Sequence, residues 1–255
     1  MPNEPDAASS PPPVPRADTR YGFDRSLVGL KRRLIQEATV AIGMLEAALD
    51  ALWKLDAPAA KEVRRRDDRI DQEEVAIEQE CYRLLTLEQP FARDFRVITF
   101  ILKVNSDIER VGDHASSIAK IATRMDPTHP PKWPTALVDM GQRVPVMCHS
   151  LLRAVLDEDA HLAAQIIAED EIIDGLEKRL FEETQDLMRK DPREIHNGLL
   201  IYRLGRELER IGDLMKNIAE DVTYLVTGSI VRHEAKRQAH AAKNHGTTAD
   251  APPNA

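Results

Sequence analysis

The string Glu109-Arg110-Val111-Gly112-Asp113 constrains this chain more than any other feature, because it returns as Glu209-Arg210-Ile211-Gly212-Asp213. Each copy runs on to Ile-Ala, at Ile118-Ala119 and Ile218-Ala219, inside a long stretch of helical apolar spacing. On a helix, residues four apart lie about 40° apart around the axis and roughly 6 Å along it, so the Glu and the Asp share one face. A single Glu-x-x-x-Asp is common in helices and carries little. Two copies within a longer shared string mark an internal duplication.

A length of 255 residues allows a sizeable core in one or two domains. Charged residues make up 31%, aromatics 4%, and glycine is sparse, which favours helices over a sheet. The net charge of −8 argues against a general nucleic-acid binder, which needs a basic footprint. It suits a protein that holds cations or meets basic partner surfaces. Cys81 and Cys148 form no Cys-x-x-Cys pair and fall in helical stretches, so they read as buried, reduced thiols. No apolar segment follows a basic start, and no apolar run approaches the ~18 residues of a membrane span. A soluble, cytoplasmic protein without membrane insertion is expected.

Residues 1 to about 20 are Pro-rich and read as a disordered leader. Apolar spacing predicts a first helix from Phe23, with Asp24 as candidate N-cap, to about Asp56. A second runs from Pro58 to Glu88-Gln89 and a third from about Arg93 to Arg124. Residues 127–134 hold four prolines and separate the halves. The second half repeats the plan with helices over about Thr135 to Asp157, Ala160 to Lys190 and Glu194 to Leu225. Pro145 would kink or delay the first of these, and Gly228 would stop the last. Residues 229–255, with His233, His240 and His245, read as a disordered polar tail. The expected fold is all-α: tandem antiparallel three-helix bundles over 21–126 and 135–228, packed side by side or end to end.

Hairpin geometry predicts which acids meet. Asp71 lies as far before the turn at Glu88 to Pro90 as Glu109 lies after it, and Asp174 and Glu209 are likewise placed about Asp191-Pro192. The segment Asp67-Asp68-Arg69-Ile70-Asp71-x-x-Glu74 matches Asp170-Glu171-Ile172-Ile173-Asp174-x-x-Glu177. Each second helix thus presents an Asp-x-x-x-Asp to its neighbour's Glu-x-x-x-Asp. Four carboxylates in one seam repel each other and resist desolvation. The seam could face water, basic residues such as Arg110 and Arg210 could pair with it, or cations could bridge it. Oxygen-only clusters suit Mg, Mn, Ca or Fe better than Zn or Cu. Gly112 and Gly212 each cost roughly 1 kcal/mol in a helix interior, which close helix approach beside the seam would offset. His114 is replaced by Leu214 in the second copy, so it reads as a neighbouring or surface group and not an essential ligand.

These strings, with Leu84-Leu85-x-x-Glu88-Gln89-Pro90-x-x-x-Asp94-x-Arg96, Asp191-Pro192-x-x-Ile195 and Tyr224-Leu225-x-Thr227-Gly228, resemble the PhoU family of phosphate-transport accessory and regulatory proteins. The resemblance spans about residues 23–228. It implies two three-helix bundles, often dimeric, in a cytoplasmic negative regulator of the phosphate-starvation (Pho) regulon. The implied partners are the ATPase subunit of the phosphate ABC transporter and a phosphate-responsive histidine kinase. Some members bind iron, zinc or other divalent ions through paired Glu/Asp-x-x-x-Asp motifs. Carried over, one metal site would use Asp67, Asp71, Glu109 and Asp113, and the other Asp170, Asp174, Glu209 and Asp213. Glu74 and Glu177 could complete the shells. Fe, Zn, Mn and Mg are the candidate ions. Lys120 stands where the second copy has Glu220, which puts equal affinity at the two sites in doubt.

Two other readings stand beside this one. A plain helical scaffold would hold no metal. A di-iron carboxylate enzyme needs Glu-x-x-His pairs, and no acid of either seam has a His three residues on. Nucleophile elbows, P-loops, His-Glu-x-x-His and Gly-x-Gly-x-x-Gly are also missing from the sequence.

Overall fold

The structure is a computed structural model describing residues 17–229. The expected leader up to residue 16, and the polar tail from residue 230 with its three histidines, lie outside the described residues. The helices are α1 (Ala17–Trp53), α2 (Ala57–Arg64), α3 (Asp67–Glu88), α4 (Ala92–Ala122), α5 (Thr135–Asp157), α6 (Ala160–Lys190) and α7 (Ile195–Thr227). A single 3₁₀ turn, Pro192–Glu194, leads into α7. No strand occurs among the described residues. The all-α expectation holds, with three long rods in each half.

Two features differ from the sequence reading. The first helix begins at Ala17, so Asp24 lies inside it and caps nothing. The expected helix from Pro58 to Glu88 is broken at Arg65-Arg66, where amide hydrogen bonds reach back only three residues, to Glu62 and Val63. The break falls within Arg64 to Arg69, a run of consecutive charged side chains with no apolar group to hold the helix against the core. Helix α5, by contrast, runs through Pro145 without interruption. Burial of Val144, Met147, Cys148 and Leu151 on either side offsets the ~3 kcal/mol that an interior proline costs.

The turns follow local chemistry. Asp56 caps α2 by accepting from the Ala59 amide, and Pro58 occupies its first turn. Asp159 caps α6 by accepting from His161 and Leu162. Gly228 closes α7 with φ +74°, a left-handed conformation that glycine adopts without a Cβ penalty.

The halves lie side by side. Lys103 reaches Asp221 at 3.2 Å and His114 reaches Glu207 at 2.7 Å, so α4 and α7 run antiparallel. Glu46 meets His149 at 2.7 Å and Lys31 meets Glu158 at 3.3 Å, so α1 and α5 do the same. Trp133 of the proline-rich link packs edge-on against Trp53, with ring centroids 5.0 Å apart. One apolar core, from Leu30 and Leu45 of α1 to Ile218 and Val222 of α7, runs through both halves. Cys81 and Cys148 are buried free thiols, and desolvation pushes each up to about 12.

Candidate metal centre

The seam of the first half lies between α3 and α4. Gly112 lets these helices close together: a Cβ there would fall 2.9 Å from Ile70 Cδ1 and 3.9 Å from Asp67 Oδ1. The equivalent Cβ on Gly212 would lie 3.4 Å from Ile173 Cγ2 and 3.6 Å from Asp170 Oδ1. Both glycines therefore sit against the aspartate they were expected to accompany.

Glu109 shows how crowded the first seam is. Its carboxyl is pushed up to about 7, first by loss of water and then by the charges of Asp113, Asp71, Glu74 and Asp67. Asp67 is raised by burial, while a hydrogen bond from Ser116 pulls the other way. The predicted residues Asp67, Asp71, Glu109 and Asp113 thus share one electrostatic environment, with Glu74 beside them. The charge of Asp71 reaches Glu109 across the hairpin.

The second seam brings Asp170, Asp174 and Asp213 closer still: each offers an oxygen within 4.8 Å of the others. No other set of acid, His or Cys side chains among the described residues gathers as tightly. Glu209 is raised by burial and by Asp213, Asp174 and Glu177, and Arg206 opposes this. Two cations stand among these acids. Lys216 Nζ donates to Asp170 Oδ2 at 2.5 Å, and Arg206 lies 3.4 Å from Glu209 and 3.6 Å from Glu177. The Tyr202 hydroxyl also donates to Glu177 at 3.1 Å. Asp170 is only 1% exposed, and its Oδ1 has no hydrogen-bond partner.

Several groups were not anticipated. Glu37 of α1 is 3% exposed, and neither of its oxygens has a hydrogen-bond partner. Burial, with Glu73 and Glu74 nearby, pushes it up to about 8; Arg33 opposes that and Glu109 adds to it. Asn105 of α4 donates to the Glu74 carbonyl, while its own Oδ1 is buried without a partner. Glu37 was visible in the sequence as an acid on the apolar stripe of Leu34, Ala38 and Ala41. Lys216 and Arg206 were visible as departures between the two copies, at Ser116 and Ser106.

The counter-charges differ from those the sequence suggested. Arg110 pairs with Asp107, three residues back on its own helix and exposed, and Arg210 acts on Glu207. His114 turns away from its seam to bond Glu207 of α7 across the junction of the halves. Lys120 is exposed.

Carboxylate oxygens suit hard cations by donor chemistry, and Glu37 adds two unpartnered oxygens near Glu109 of the first seam, although among the described residues only Asp170, Asp174 and Asp213 bring oxygens within 4.8 Å of one another. The residues that would hold an ion are Asp67, Asp71, Glu109 and Asp113, with Glu74 in reach of the same group. In the second seam Asp170, Asp174, Glu209 and Asp213 have the same chemistry, but an ammonium and a guanidinium already stand among them.

Comparison with known proteins bears on what such paired seams belong to. A family model described as the PhoU domain matches residues 34–122 and again 137–222. The phosphate-specific transport system accessory protein PhoU homologue of Deinococcus radiodurans is 38% identical over 186 residues, covering 73% of this chain and 87% of that protein. The homologue of the same description from Pseudomonas aeruginosa is 36% identical over 212 residues, covering 83% and 88%. The crystal structure of PhoU from Pseudomonas aeruginosa superposes with a TM-score of 0.78 at 36% identity, covering 81% of this chain and all of that one. That of the phosphate transport system regulatory protein PhoU from Streptococcus pneumoniae gives 0.76 at 32% identity, covering 82% and 99%. With the duplicated motif, the paired helical seams and a twice-matching domain all in agreement, the chain belongs to the PhoU family.

Proposed function

We propose that this protein is a non-enzymatic, cytoplasmic regulator of phosphate uptake that holds the Pho regulon down when phosphate is plentiful. It works through protein contacts, with the ATPase subunit of the phosphate ABC transporter and with a phosphate-responsive histidine kinase, and it does so as a homodimer. Its two repeats, over 21–126 and 135–228, act as one side-by-side body. Relatives named as accessory and regulatory proteins of phosphate transport support the regulatory reading. Among the described residues no helix is long and apolar enough to cross a membrane, which fits a partner that docks on a transporter.

Metal belongs to this reading as a structural element. The observation that carries it is Glu109, whose charged neighbours are four further carboxylates drawn from both helices of the hairpin. A divalent or iron cation would supply the positive charge that lets α3 and α4 close on each other. Asp67 and Asp71 present oxygen ligands from one side of the seam, and Glu109 and Asp113 from the other. No imidazole stands among them, so the residues are suited to holding charge in place and not to redox chemistry.

Two measurements test the proposal. Deleting the gene should raise a phosphatase reporter several-fold in high phosphate; unchanged output would remove the repressor role. Elemental analysis of protein purified without chelator should find Fe, Zn, Mn or Mg at one equivalent or more, and sub-stoichiometric amounts of all four would favour the metal-free scaffold.

A further inference from the structure

The two seams share their acids but differ in what surrounds them. Aligning the copied strings pairs Glu109 with Glu209 and Asp113 with Asp213, and the same offset pairs Ser106 with Arg206 and Ser116 with Lys216. Both cations of the second seam are therefore serines in the first. On the helix that packs beneath, the capping residues Asp56 and Asp159 set the register, and Glu37 then corresponds to Met140. The first seam thus gains the buried Glu37 and lacks both Lys216 and Arg206, while the Arg33–Glu73 pair beside it stands opposite Ala136 and Leu176.

We infer that the two sites are not equivalent: Lys216 and Arg206 serve as tethered counter-ions that fill the second seam, and a hard divalent cation loads the first. This deepens the metal reading of these seams and rests on it. Lys216 is placed for the role, bonded to the buried Asp170 at the point where Asp174 and Asp213 converge. Its ammonium carries the charge a metal would otherwise supply, and a covalently attached ion is present at high local concentration. Arg206 does the same for Glu209 and Glu177 one level along the hairpin. The tight gathering of Asp170, Asp174 and Asp213 follows from this, since like charges stay together only where something opposite holds them.

In the first seam Ser116 gives Asp67 a hydrogen bond but no charge. On α1, Arg33 is held by Glu73 at 2.7 Å and also acts on Glu37. Glu37, 97% buried and with both oxygens unpartnered, lies beside Glu73, Glu74 and Glu109, and Asn105 adds a buried, unpartnered carbonyl on the same hairpin. Asp170 Oδ1 and Glu209 Oε2 of the second seam are likewise unpartnered, so what separates the seams is the fixed charge of Lys216 and Arg206, which the first seam would have to take from a cation in solution.

The test uses the full chain, stripped with chelator and titrated with Mn2+ at pH 7, with bound Mn2+ and the thermal midpoint read together. Wild-type protein should bind Mn2+ tightly at one seam. That binding should be lost in E109Q/D113N and kept in E209Q/D213N. K216S/R206S should raise second-seam affinity at least about tenfold, and S106R/S116K should lower first-seam affinity by a similar factor, a shift of about 1.4 kcal/mol. In chelator, K216S should lower the thermal midpoint by roughly 4 °C and Mn2+ should restore it, whereas S116A should change it little. Equal loading of both seams in the wild type, or an unchanged second-seam affinity in K216S/R206S, would overturn the inference. If the wild type bound no Mn2+ at all, the metal reading would fall. Lys216 as counter-ion would then stand or fall on the midpoint drop of K216S in chelator.

Discussion

The α3–α4 seam and the α6–α7 seam began as copies, and they now handle the same problem in opposite ways. Each gathers carboxylates on facing helices around a glycine that lets the backbones approach. The second answers the resulting repulsion from within the chain, through Lys216, Arg206 and the Tyr202 hydroxyl. The first has the uncharged Ser116 beside Asp67 and adds Glu37 below, which has no hydrogen-bond partner and is eased only by the charge of Arg33. A duplicated motif therefore preserves the ligand-bearing face while a few positions one turn away decide how much of its negative charge is balanced from within the chain.

The sharpest way to break the comparison is to give the second half the burden of the first. Met140, the counterpart of Glu37, is fully buried and approaches Gly205. Met140→Glu should destabilise the protein by at least about 3 kcal/mol in denaturant melts, since the new acid would find no partner. A cost below about 1 kcal/mol would mean that the second half has slack the structure does not suggest.

A pH profile in chelator comes next in size. Glu37 and Glu109 sit near about 8 and about 7, above the ordinary 4.5. For an acid raised in the native state, folded protein keeps a proton that the unfolded chain has released. The native state then holds the extra proton between about pH 4.5 and 8, and stability falls as pH rises through that window. The loss should total roughly 3 kcal/mol, followed by urea midpoints from pH 5 to 8.5. E37Q/E109Q should flatten the slope. A wild-type profile already flat across this range would show that water reaches these acids.

Arg206→Ala should have the smallest effect, below about 1 kcal/mol in stability, because its side chain is 40% exposed and screened. Added salt should shrink the difference further. An effect above about 2 kcal/mol would place Arg206 in a more enclosed environment than its exposure indicates.

Much of the architecture was legible in the sequence because it is periodic. Helices α5 and α6 end where their apolar stripes end, and Asp159 caps α6 at the expected junction. The acid pairs across each hairpin followed from counting residues outward from Gln89-Pro90 and Asp191-Pro192. The break between α2 and α3 escaped that reading, because apolar spacing resumes on the far side of the charged run and looks continuous. Pro145 leaves α5 helical over the expected span, because packing on both sides of it outweighs its local cost. Glu37, Lys216 and Arg206 were present as departures from pattern, but a departure has no sign until its neighbours are known.

From the amino-acid order alone came the duplication, the rods and the two acidic faces, since each is set by local spacing along one helix or across one turn. Only the folded arrangement decided that the halves lie antiparallel side by side, that His114 serves the junction and not the seam, and that Lys216 closes on Asp170 while Ser116 leaves Asp67 among acids. Those outcomes depend on which side chains meet across helices far apart in the chain, and charges in a partly buried seam are governed by such neighbours more than by their own identity.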